Sequence, residues 1–104
     1  MLSGRLVVLA LALAAIAVPA QAATIQIVME NLVFVPAEVS AKVGDTIEWV
    51  NKDAFVHTAT ARNGDFDVNQ PPKKTVTSVL QKAGTVEFYC RFHPNMKGVL
   101  KIAP

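Results

Sequence analysis

Residues 85–102 read TVEFYCRFHPNMKGVLKI, and this stretch decides the fold. Thr85 to Cys90 is rich in β-branched and aromatic side chains, the composition of a strand. Gly98 to Ile102 repeats that character and closes the chain with one more strand. Pro94 and Asn95 between them are turn formers, so a short loop joins the two strands. Further out, Thr24 to Glu30 (TIQIVME) and Phe34 to Val39 have the same composition, with Pro36 marking an edge or a bend. Val43-Gly44-Asp45-Thr46 reads as a tight turn. Ile47-Glu48-Trp49-Val50 then alternates apolar and polar, as a half-buried strand does. Asn51 to Lys74 reads as a polar stretch holding the turn formers Asn63-Gly64-Asp65 and Pro71-Pro72. Strand character returns at Thr75 to Leu80 and breaks at Ala83-Gly84. Turn signals about every eight to twelve residues between short strands predict one all-β, antiparallel β-sandwich. Trp49, Phe34, Phe88 and Val86 are its expected core.

The chain has 104 residues, room for one small domain. Its formal charge of +2, with no basic run or aromatic-basic interleaving, excludes a nucleic-acid binder. The 52% apolar content and mean hydropathy of +0.36 are high for so short a chain, and the surplus sits at one end. A basic start, Met1 to Arg5, precedes thirteen residues, Leu6 to Val18, without a charged or polar side chain. Pro19 breaks the run, and Ala20-Gln21-Ala22 supplies the small residues a signal peptidase reads. Residues 1–22 are therefore expected to be a cleaved signal peptide and residues 23–104 the exported, periplasmic domain. Thirteen residues of helix span only about 20 Å, short of a hydrocarbon core of roughly 30 Å, so no membrane span is expected.

A single cysteine is unusual in an oxidising compartment, since it has no intrachain partner. Cys90, His93 and Met96 stand at positions i, i+3 and i+6 of one loop, which can fold back and aim all three side chains at one point. The chain has two histidines, and the other, His57, lies after the Trp49 strand. Loops at one end of neighbouring strands lie side by side, which lets His57 complete the set. Two imidazoles, a thiolate and a weak axial thioether form the ligand set of a blue-copper centre. The soft sulfur donors favour Cu(I), and the imidazoles suit both oxidation states. Zinc is the rival metal, but zinc sites rarely recruit methionine. Two histidines cannot build the further copper sites of an oxidase, and no nucleophile–base pairing suggests hydrolysis, so no enzyme is expected.

These residues resemble the cupredoxins, the type 1 blue copper proteins, most closely the plastocyanin/amicyanin branch. The resemblance lies in Phe34 to Val39 followed by Val43 to Asn51, in Phe55-Val56-His57-Thr58, and in Ala83 to Cys90 with His93-Pro94 and Met96-Lys97-Gly98. Thr58 stands where many members have asparagine, and Phe92 where a small residue or proline is common. The resemblance implies a Greek-key sandwich holding one copper ion on His57, Cys90, His93 and axial Met96. It also implies a carrier of single electrons between redox partners docking near His93, flanked by Phe92 and Pro94, and a Cys90 committed to copper argues for a monomer. A copper chaperone or store of the same fold is the competing expectation. Arg91, Lys97, Lys73 and Lys74 are expected to rim the docking face and favour an acidic partner.

Overall fold

A computed structural model describes residues 21–104. The expected signal peptide falls almost wholly on residues 1–20, outside the described part. The described residues form β1 (Thr24–Glu30), β2 (Val33–Val35), β3 (Glu38–Lys42), β4 (Thr46–Asn51), β5 (His57–Ala61), β6 (Asp67–Gln70), β7 (Thr75–Val79), β8 (Gly84–Tyr89) and β9 (Lys97–Ala103). Two sheets pack face to face, one ordered β2-β1-β4-β7 and the other β3-β9-β8-β5-β6. The all-β sandwich expected from the sequence is present. Its strands are not all antiparallel, however. β1 pairs with β4, and β3 with β9, in parallel, because the chain crosses between sheets before each pairing.

Local chemistry explains most element boundaries. In β4 every second residue is buried, as the apolar–polar alternation of Ile47 to Val50 requires. The single strand expected from Phe34 to Val39 is two strands, one in each sheet, divided at Pro36. A proline has no N–H to give a ladder, and here the chain changes sheets. The polar stretch expected from Asn51 to Lys74 contains β5 and β6. Gly64 (φ +84°) turns the chain between them, and Asn63 Oδ1 accepts the Asp65 N–H at 2.9 Å. β5 lies inside its sheet, and four of its five residues are buried although two are threonines and one is histidine.

The core lies between the sheets. Phe34, Trp49 and Phe88, from β2, β4 and β8, meet edge-to-face with centroids 4.8 to 6.3 Å apart. Trp49 Nε1 donates to Ser78 Oγ at 2.9 Å, so the indole is buried without an orphaned donor. Val86 is buried beside them, as expected. Gly98 faces Phe88 across β8 and β9. A Cβ there would lie 2.4 Å from Phe88 Cζ and 2.7 Å from the Ala37 carbonyl oxygen.

Asp45 closes one end of the sandwich, accepting the Lys42 ammonium and the Ala23 and Lys42 amides at 2.7, 2.8 and 2.9 Å. Those three donors, in that order, hold its carboxyl down to about 2.

Gly98→Ala is expected to destabilise the fold by about 1–3 kcal/mol through overpacking, read from urea unfolding. The folded state binds the Asp45 proton less tightly than the unfolded chain does. The stability Asp45 contributes is therefore complete above the ordinary carboxyl value of about 3.9 and lost as pH falls through about 2. Asp45→Asn should flatten that part of the acid-unfolding profile.

Candidate metal centre

At the other end of the sandwich, β5 begins and β8 ends side by side. His57 is the first residue of β5, not a loop residue as the sequence suggests, and it is fully buried. Cys90 directly follows β8 and is fully buried as well. The loop after it closes on itself. His93 N–H donates to the Cys90 carbonyl at 3.2 Å, Met96 N–H to the His93 carbonyl at 2.8 Å, and Cys90 N–H to the Met96 carbonyl at 2.9 Å. This winding, set by Pro94 and Asn95, turns His93 back toward the cysteine.

The ligand atoms of His57, Cys90 and His93 lie within 4.8 Å of one another. Cys90 Sγ is 3.8 Å from His57 Nδ1 and 3.7 Å from His93 Nδ1. The two imidazoles meet at 70° with centroids 5.0 Å apart. Met96 is 1% exposed and belongs to the same buried cluster as Cys90. The structure thus brings together the two histidines and the cysteine and buries Met96 nearby.

Surrounding bonds hold these groups in place. Thr58 N–H points at Cys90 Sγ at 3.4 Å, and Thr58 Oγ accepts the Arg91 N–H at 2.9 Å. Threonine therefore ties the two ligand segments together, although many cupredoxins have asparagine at this position. Asp53 Oδ2 lies 2.7 Å from His57 Nε2. A proton held on Nε2 by this carboxylate leaves Nδ1 bare and facing Cys90, the tautomer a metal requires. Burial pushes the Asp53 carboxyl up, but His57 and the amides of Asn31 and Leu32 outweigh it and hold the carboxyl below its usual value. Asn51 supports the same loop, donating to the Phe55, Gln70 and Pro71 carbonyls and accepting the Asp53 N–H.

The sequence reading missed Asp53, Asn51 and Gln70. An aspartate four residues before a histidine is a faint signal for the first, and nothing marks the other two. Gln70 pairs in register with His57 and is fully buried, yet neither polar atom of its amide has a hydrogen-bond partner among the described residues.

The donor set fits copper. A buried thiol flanked by two imidazole nitrogens, with a buried thioether nearby, offers soft and borderline donors and no carboxylate. A family model for a cupredoxin-like domain matches residues 5–102. The chain belongs to the cupredoxin family. The resemblance read from its sequence is thereby borne out, and the His57–Cys90–His93 group of this cupredoxin can bind a single copper ion. It is 33% identical over 99 residues to the methylamine utilization protein MauL of Methylorubrum extorquens, covering 91% of this chain and 87% of the relative. It is also 33% identical over 67 residues to amicyanin of Paracoccus denitrificans, covering 59% and 51% of the two chains. Among solved structures, amicyanin from Paracoccus versutus superposes with a TM-score of 0.65 at 25% identity, over 83% of this chain and 85% of that one.

Asp53→Asn is expected to weaken copper binding by about 10–100-fold, because the amide no longer fixes the His57 tautomer as a carboxylate does. Competition with a coloured Cu(I) chelator measures it.

Proposed function

We propose that this cupredoxin is an exported electron carrier with one type 1 copper site. The observation that carries this reading is a fully buried Cys90 thiol with an imidazole Nδ1 within 3.8 Å on either side. His57, Cys90 and His93 would hold the ion through two imidazoles and a thiolate, and Met96 would add a weak thioether donor. Bound there, copper supplies a one-electron Cu(I)/Cu(II) couple. The chain's own part is to keep the ligands still when the charge changes. Thr58, Asp53 and Asn51 do so by bonding the loops to one another and to the sheets. A ligand set that moves little on reduction keeps electron transfer fast. Two fully buried ligands also suit retention of the ion rather than the ready exchange of a copper chaperone or store. The chain's histidines are too few for a second copper site, which supports a carrier rather than an enzyme.

Redox partner proteins would dock over His93, which is half-buried. Exposed apolar groups surround it. Phe55 is 60% exposed with its ring centroid 6.4 Å from that of His93, and Phe92 is 52% exposed. Arg91 at the rim faces Asp67 at 3.3 Å and lies over Phe92, so part of its charge is already answered within the chain. That arrangement favours apolar contact over acidic steering as the main docking force. The leader pattern in residues 1–22 supports export to the periplasm, and among the described residues no helix is long and apolar enough to cross a membrane.

One equivalent of Cu(II) added to the purified protein is expected to give an intense blue band that ascorbate bleaches and oxidation restores. Cys90→Ser should abolish the band. A colourless product from the unmutated chain would overturn the carrier reading and favour copper storage or delivery.

A further inference from the structure

The end of the sandwich remote from the metal centre is organised around one nitrogen and one carboxylate. Ala23 directly precedes β1. Its N–H donates to Asp45 Oδ1 at 2.8 Å, and its carbonyl accepts the Thr46 N–H at 2.9 Å. Asp45 is 2% exposed, whereas Ala23 is open to solvent. The carboxylate is fixed from several sides. Lys42 Nζ reaches Oδ1 at 2.7 Å, Lys42 N–H reaches Oδ2 at 2.9 Å, and the Asp45 carbonyl accepts the Leu80 N–H at 2.8 Å. Ala23 is also the residue that follows Ala20-Gln21-Ala22, the pattern a signal peptidase reads. The leader sequence and the fold, which are independent observations, single out the same nitrogen.

We propose that cleavage of the Ala22–Ala23 bond turns this nitrogen into an α-ammonium that pairs with Asp45, so that processing completes an electrostatic clasp at the start of β1. The proposal rests on the export reading above. In the cleavage, which a signal peptidase catalyses, water gives its hydroxyl to the Ala22 carbonyl carbon. The Ala23 nitrogen leaves as an amine and is protonated. No oxidant or reductant is needed.

The chemistry of the site favours the charged form. A neutral amide gives Asp45 one ordinary hydrogen bond. An ammonium in the same place gives it a charge-assisted one, roughly twice as strong. Its remaining N–H groups face solvent, so none is buried without a partner. The charged group already facing Asp45 is the Lys42 ammonium, whose side chain is 30% exposed and shares its charge with water. The carboxylate can therefore hold both cations. Its carboxyl, held down to about 2 by Lys42 and the two amides, is ionised near neutral pH. Position matters as much as charge. One residue left in front of Ala23 would restore the amide and carry the ammonium about 3.5 Å away.

Two measurements test the pairing separately from the processing. The full chain exported by a bacterial host is expected to have an intact mass that begins at Ala23. A different first residue would overturn the proposed junction. The purified chain beginning at Ala23 is then compared with the same chain acetylated on Ala23, by urea unfolding near neutral pH. Acetylation should lower the folding equilibrium constant about fivefold, an effect that Asp45→Asn removes. Equal stability of the free and acetylated chains would overturn the ion pair, whatever the mass shows. If Asp45→Asn does not fold, NMR titration of the α-amino group decides. A value above the ordinary range of about 7.7–8.0 supports the clasp, and a value within that range overturns it.

Discussion

Two hydrogen bonds between Thr58 and the Cys90–Arg91 segment hold the site together. One runs from the Thr58 amide to the Cys90 sulfur and the other from the Arg91 amide to the Thr58 hydroxyl. These residues are more than thirty positions apart in sequence, and their meeting requires β5 and β8 to be neighbours in one sheet. That adjacency depends in turn on a core that seats Phe88 of β8 against Trp49 and Phe34 of the opposite sheet. The metal centre is thus an outcome of sheet pairing. The loop after β8 contributes His93, but the cysteine and the first histidine are placed by strands.

This explains which parts could be read from the sequence. Strands with strong β-branched or alternating composition, such as β1, β4 and β8, were legible because their patterns are local. β5 was not, because its buried His57 and Thr58 and its half-buried Thr60 resemble a polar loop until their partners are known. The parallel pairing of β1 with β4 and of β3 with β9 was also hidden, since strand composition carries no direction. Cys90 and His93 could be read from one short loop, and His57 by being the other histidine. Asp53 and Asn51 could not, because each acts through contacts that exist only after the sheets have packed, and the burial of Gln70 is likewise a product of that packing.

The two ends of the molecule share a frame. β1 and β4 run in parallel register from Thr24 opposite Thr46 to Met29 opposite Asn51. One end of this ladder lies at the Asp45 carboxylate and the other at the asparagine that supports the ligand loop. Asp45 also reaches across to the end of β7 through Leu80, so three strands of one sheet are gathered at a single acidic residue. The Asp53 carboxylate has the corresponding place at the metal end, gripping the Asn31–Leu32 turn and His57 together. Each end of this sheet is therefore closed by an aspartate that accepts hydrogen bonds from distant segments.

The buried state of Cys90 has a consequence for the order of events in the life of the chain. It is the sole thiol, so an oxidising environment offers it no partner within the molecule. Thiol oxidation needs a thiolate that reagents can reach. In the unfolded chain the sulfur is open to oxidants and to a second chain. In the folded chain it is buried among the core residues. Folding is then the step that guards the ligand, and the speed with which β8 docks into its sheet sets how long the thiol stands at risk.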